Sequence, residues 1–113
     1  MLIHYLASPM HPLIGQYYDA VWTKRTWELQ FEDILLIIFN TGLTRGQDFN
    51  LVGVGRDLNI QWVAGGVMDG PDRYDGVTAV SVRNGQIWVH TWCCFRYRID
   101  YRTGEKLEQE FTK

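Results

Sequence analysis

The sequence predicts a mainly β fold: an antiparallel meander of about six strands, forming a small barrel or a curved sheet, with a short helical or irregular N-terminal segment. Three observations predict it. Apolar and polar residues alternate with period two over several short stretches. Gly, Asn and Asp cluster between those stretches at hairpin spacing. The stretches themselves are rich in β-branched and aromatic residues.

The first 25 residues carry the weakest pattern. Ser8-Pro9 has the chemistry of a helix start, as N-cap and first helical residue. His11-Pro12 and Gly15 argue for loop. Gln16 to Lys24 has room for one or two helical turns, with Tyr17, Val21 and Trp22 facing inward. From Thr26 the alternation is clear. Trp27, Leu29 and Phe31 share one face, and Glu28, Gln30 and Glu32 the other, which predicts a half-buried strand. Helical spacing also links Trp27, Phe31 and Ile38, but three isoleucines between Ile34 and Phe39 favour a strand there, ended by Asn40-Thr41-Gly42.

Leu51 to Val54 and Ile60 to Ala64 read as a hairpin turning at Arg56 to Asn59. A long loop runs through Gly65-Gly66 and on to Gly76. Val77 to Arg83 starts a second hairpin, turning at Asn84-Gly85 and returning from Gln86. Asn-Gly is the strongest short-range hairpin signal, because both central residues of a type I′ turn need positive φ. The spacing of Val52, Val54, Ile60 and Trp62 echoes that of Val80, Val82, Ile87 and Val89, a weak internal repeat.

From Ile87 the apolar residues fall at odd positions (Ile87, Val89, Cys93, Phe95, Tyr97 and Ile99), which predicts one long strand with that face in the core. A final hairpin is registered by its charges. With Arg102-Thr103-Gly104 as the loop and Gly104 left-handed, Asp100 faces Lys106, Arg98 faces Glu108 and Arg96 faces Glu110. On the opposite face Ile99 then meets Leu107, and Phe95 meets Phe111. A slip of one residue would destroy both patterns. The stretch Tyr97 to Lys106 resembles the strand-turn-strand that ends a blade in quinoprotein-like β-propellers. The chain is too short for a closed propeller, and the resemblance carries no function.

The 113 residues fit one domain, 1–113, long enough to bury a core without staples. Hydrophobic residues make up 46% and aromatic residues 14%, which argues against disorder. A net charge of −2 lacks the basic footprint of a nucleic-acid binder, so no nucleic acid is expected as partner. The longest apolar run, Ile34 to Phe39, is far below a membrane span, so no membrane partner is expected either. Met1 to Pro9 has no basic n-region. With two thiols, Cys93 and Cys94, that favours a cytoplasmic location. As strand neighbours the two thiols would leave opposite faces. They read first as small core residues; a reactive Cys94 would depend on Arg96 and Arg98 beside it.

No catalytic constellation emerges, so the chain is expected not to be an enzyme. No Gly-rich phosphate loop precedes a helix, and no cofactor is expected. His90 has no implied carboxylate or nucleophile. His90 and Cys94, four apart on one strand, would be roughly 13 Å apart, too far to share a metal. Asp69, Asp72 and Asp75 read as a solvated loop rather than a cation site, and Glu28 and Glu32 as the polar face of a strand.

The even face of the long strand holds the candidate site: Trp88, His90, Trp92, Arg96 and Arg98. The Asn84-Gly85 turn sets Trp88 opposite Ser81, His90 opposite Ala79 and Trp92 opposite Val77. Small partners leave the indoles accessible, and Trp and Arg are the residues most enriched at interface hot spots. The competing reading has residues 1–25 fold over this face and bury it. The expected function is a non-catalytic protein-binding module (an inhibitor, immunity-type or adaptor protein) acting as monomer or homodimer on a protein partner. The alternative is a small barrel holding an apolar small molecule among Trp27, Phe31, Trp62 and Phe95. An enzyme built on His90, Cys94 and loop aspartates ranks last.

Overall fold

A computed structural model describes residues 14–40, 49–67 and 75–112. The element order is α1 (Ile14–Thr23), β1 (Arg25–Phe31), β2 (Ile34–Phe39), β3 (Leu51–Val54), β4 (Ile60–Ala64), β5 (Val77–Arg83), β6 (Gln86–Thr91), β7 (Phe95–Ile99) and β8 (Lys106–Phe111). The described strands form two antiparallel four-stranded sheets, β1-β2-β3-β4 and β5-β6-β7-β8. Each is a meander, so the chain is mainly β as its alternation predicts. Among the described residues eight strands replace the expected six or so. No described strand pairs across the two sheets, so they form an open sandwich and no barrel closes.

One core lies between the sheets. Ile34, Leu36, Ile38, Leu51, Trp62 and Ala64 of the first sheet meet Val77, Ile87, Val89, Tyr97 and Ile99 of the second. Polar groups fasten the same interface. Asn50 Nδ2 donates to the Val77 carbonyl at 3.0 Å, and Val77 N–H donates back to Asn50 Oδ1 at 2.8 Å. Tyr97 donates its hydroxyl to the Gly65 carbonyl at 2.6 Å, and Trp62 donates Nε1–H to the Tyr101 carbonyl at 2.7 Å. Each bond satisfies a group that burial would otherwise leave costly.

The first sheet is covered on its other face as well. Val21 of α1 packs with Ile37, Phe39, Val52, Val54 and Ile60, joined by Ala20 and Trp22. Burial on both faces explains why β2 reads as the unbroken apolar run Ile34 to Phe39 rather than an alternation. The helix begins at Ile14 and contains Gly15, so the glycine does not keep this stretch in a loop. Val21 faces inward as expected. The expectations on Ser8-Pro9, His11-Pro12, the Tyr17 side chain and Thr41-Gly42 lie outside the described residues.

The predicted turns of the second sheet hold their dihedrals. Asn84 and Gly85 have φ of 53° and 74°, the signature of the type I′ turn. Gly104 has φ of 79° as expected, and the Trp62 indole lies against the place its Cβ would take, so the site needs glycine twice over. The loop itself is longer than expected: Asp100 N–H donates to the Glu105 carbonyl, so Tyr101 to Gly104 form it. A bulge follows between Arg98 and Ile99, setting Ile99 opposite Lys106 rather than Leu107. Beyond it the expected register holds, with Arg98 opposite Glu108, Arg96 opposite Glu110 and Phe95 opposite Phe111. The third expected charge pair does not form. Lys106 Nζ instead donates to the Gly66 carbonyl at 3.1 Å, above the Tyr97 ring.

The largest correction concerns the long strand. Ile87 to Asp100 is not one strand but the hairpin β6–β7, turning at Trp92, Cys93 and Cys94. Cys94 N–H donates to the Thr91 carbonyl at 3.2 Å, and Cys94 takes φ of 70°. A β-turn followed by a left-handed residue is a common three-residue hairpin loop, but its left-handed position is normally glycine. With cysteine there, no turn signal was visible.

Candidate functional site

The β6–β7 turn gathers the candidate residues more tightly than one strand could. Antiparallel pairing sets Trp88 opposite Arg98 and His90 opposite Arg96 on the outer face of the second sheet. On the other side of β6, Ser81 faces Trp88 and Ala79 faces His90, as predicted. Trp88 is half-buried, with the guanidinium carbons of Arg83 and Arg96 at 5.5 and 5.4 Å from its ring centroid. Cation–π attraction of this kind holds an indole and two arginines in one arrangement. Arg98 Nε donates to Glu108 Oε1 at 2.7 Å, and Arg96 pairs with Glu110. The outer face is therefore an ordered lattice of Trp, Arg and Glu rather than a set of loose side chains.

His90 lies inside that lattice. Its Nε2 and the Ser81 hydroxyl are 3.1 Å apart. Partial burial, and then the charges of Arg96 and Arg83, hold its pKa below the usual imidazole value. The neutral imidazole is thereby favoured over the charged one, and among the described residues no carboxylate forms an ion pair with it. Among the described residues no three His, Cys, Asp or Glu side chains converge as metal ligands.

Trp92 departs from its predicted place. A bulge in β5 sets Val77 opposite Thr91, and Trp92 sits in the turn, its N–H donating to the Gly76 carbonyl at 3.0 Å. It is not aligned with Trp88 and His90 on the strand face. It projects from the hairpin end, and 65% of its surface is exposed. The described part of the N-terminal segment does not cover this face either, since α1 packs on β1 and β2 of the other sheet.

Of the residues expected around an apolar ligand, Trp27, Phe31 and Trp62 share the core cluster between the sheets, and Phe95 lies apart from it. Trp62 is buried in the core, and Phe31 meets Tyr101 edge-on at the Tyr101 end of β7. Phe95 packs against Phe111 at the opposite end, the two rings tilted by 57°. A cleft of about 210 Å³ has a partly polar lining that includes Thr26, Asn40, Asn50 and Thr78 and none of those aromatics.

One residue escaped the sequence reading. Asp75 is fully buried rather than part of a solvated loop. Its carboxylate accepts N–H bonds from Val67 at 2.6 Å and Cys93 at 2.7 Å, joining the end of the first sheet to the β6–β7 turn. Burial and then the Asp75 charge raise the pKa of Tyr97, so that phenol stays protonated and available to donate. An Asp-Gly pair looks the same in a solvated turn, so no sequence signal could have found this role. Asp69 and Asp72 lie outside the described residues.

A family model described as a domain of unknown function, DUF7957, matches residues 26–111. The chain belongs to this DUF7957 family. The match begins in β1 and ends in β8, so the DUF7957 unit contains both sheets and the whole outer face just described. Neither a curated protein nor a solved structure matches the chain. No helix among the described residues of this DUF7957 protein is long and apolar enough to cross a membrane.

Proposed function

We propose that this DUF7957 protein is a non-catalytic protein-binding module whose partner seats on the outer face of the second sheet. The observation that carries the reading is the lattice around Trp88. Arg83 and Arg96 flank an indole, and Glu108 and Glu110 brace the neighbouring arginines. Trp and Arg dominate the binding energy of protein interfaces when held near a patch's centre. Side chains already ordered by cation–π contacts and ion pairs lose less entropy on binding than mobile ones. Trp92, exposed at the β6–β7 hairpin end of the same sheet, supplies apolar area for a partner to cover. His90, held neutral beside Ser81, adds polar capacity without a further positive charge.

The test compares wild type with Trp88→Ala, Trp92→Ala and the control Leu58→Ala, which truncates an exposed apolar residue in the β3–β4 turn, on the other sheet. Circular dichroism and thermal melting come first, then capture of partners from extract with quantification by mass spectrometry. Trp92→Ala is expected to melt like the wild type and to weaken one specific capture by at least about 30-fold, the scale of a hot-spot residue. Leu58→Ala is expected to retain that capture. Equal loss from all three variants, or none from Trp92→Ala and Trp88→Ala, would sink the reading.

A further inference from the structure

Neighbouring side chains on a strand point apart, which would keep Cys93 and Cys94 from reacting with each other. The β6–β7 turn removes that constraint, because both residues lie in the loop and neither in a strand. Cys94 is exposed and occupies a left-handed position, with φ of 70°, where glycine is the usual residue. The chain therefore holds a thiol at an accessible site that disfavours any side chain.

The backbone beneath the two thiols is fixed from several sides. Cys93 N–H donates to the buried Asp75 carboxylate at 2.7 Å. Cys94 N–H donates to Thr91, and the Cys94 carbonyl accepts from both the N–H and the hydroxyl of Thr112, at 2.7 and 2.8 Å. Phe95 N–H donates to the Thr91 hydroxyl at 3.3 Å. Cys93 is half-buried and Cys94 exposed, so a reagent in solvent meets Cys94 first.

We propose that Cys93 and Cys94 form a vicinal dithiol that hydrogen peroxide oxidises reversibly to an intramolecular disulfide, with Cys94 reacting first. The Cys94 thiolate attacks one peroxide oxygen. The O–O bond breaks, the departing hydroxide takes a proton and leaves as water, and Cys94 becomes a sulfenic acid. The Cys93 thiolate then attacks the Cys94 sulfur, the S–S bond forms, and hydroxide leaves and is protonated to a second water. Two thiols lose two electrons and two protons, and one peroxide becomes two waters. Adjacency gives the second step the advantage of an intramolecular reaction. Adjacent Cα atoms are about 3.8 Å apart, below the ~4.4–6.8 Å usual for a disulfide. The ring is therefore strained and easily reduced, which suits a reversible modification rather than a structural bond. Among the described residues no third His, Cys, Asp or Glu joins the pair as a metal ligand set.

The experiment titrates the purified full chain with hydrogen peroxide, alkylates with N-ethylmaleimide, and reads intact and peptide masses. The wild type is expected to lose both alkylation sites together with the mass of two hydrogens, to remain a single chain, and to recover both sites with dithiothreitol. Cys93→Ser is expected to stop at a Cys94 sulfenic acid that dimedone traps. Cys94→Ser is expected to react about tenfold more slowly or less, given the poorer access of Cys93. Melting curves of both variants confirm that each is folded before it is scored. Disulfides between chains, sulfinic acid without ring closure, or two thiols that still alkylate after peroxide would each overturn the proposal.

Discussion

His90 shows how a single side chain reports on the face around it. Its folded pKa lies below the ordinary 6.5, owing to burial, Arg96 and Arg83 in that order. The unfolded chain therefore binds this proton more tightly than the folded one. Between the lowered folded value and 6.5, stability rises with pH. The contribution is fully present above 6.5 and is lost as pH falls through the folded value. Melting temperatures of the wild type and His90→Gln, measured from about pH 7.5 to 5, test this. The variant is expected to lose less stability on acidification, and its difference from wild type cancels the titration of His4 and His11. Parallel pH profiles would show that His90 does not titrate against its arginine neighbours. The pairings of His90 with Ala79 and of Trp88 with Ser81 were legible in the sequence because the Asn84-Gly85 turn fixes their register, whereas the diagonal contact of His90 with Ser81 appears only in the structure. The Arg96 contact to Trp88 was not legible, because the β7 partners of β6 depended on a turn with no glycine.

At the scale of the element, the β7–β8 hairpin divides what pattern can and cannot specify. The pairs Arg98–Glu108 and Arg96–Glu110 form as the charge alternation requires. The bulge at Ile99 redirects Lys106 to the Gly66 carbonyl, a contact with the first sheet that no local pattern encodes. A double-mutant cycle with Arg98→Ala and Glu108→Ala is expected to give a coupling of about 0.2–1 kcal/mol, reduced by added salt, because both groups remain partly in water. Zero coupling would mean that alternation, not ion pairing, sets the register. The β6–β7 hairpin is the contrasting case. Its odd-position apolar residues stay in phase across the turn, so an uninterrupted strand and a three-residue loop read alike. Only the φ of Cys94 separates them, and cysteine gives no warning of it.

For the whole molecule, the decisive event is the stacking of two meanders built from consecutive halves of the chain. Asn50 is the polar clasp of that stacking, since its amide copies a backbone pair across to Val77. Asn50→Ala removes both partners of Val77 and leaves its N–H and C=O unsatisfied in a buried place. A loss of about 1–3 kcal/mol is expected, seen as a fall in melting temperature of roughly 5 °C per kcal/mol. An unchanged melting point would show that the Asn50 bonds add nothing to the joining of the sheets. The proposed partner-binding face and the proposed dithiol lie at and beside the same β6–β7 hairpin.

The sequence by itself determined where most strands begin and end, which turns need left-handed residues, and which side chains share a face. These features are local: period two, β-branching and the sterics of φ act within a few residues. Tertiary structure decided which face of each sheet is covered, that two open sheets replace a barrel, and that Asp75 is buried. Those outcomes depend on apolar area and hydrogen-bond partners supplied by segments dozens of residues away. The same alternating strand can serve a barrel or a sandwich, and the same carboxylate is solvated or buried according to what packs over it.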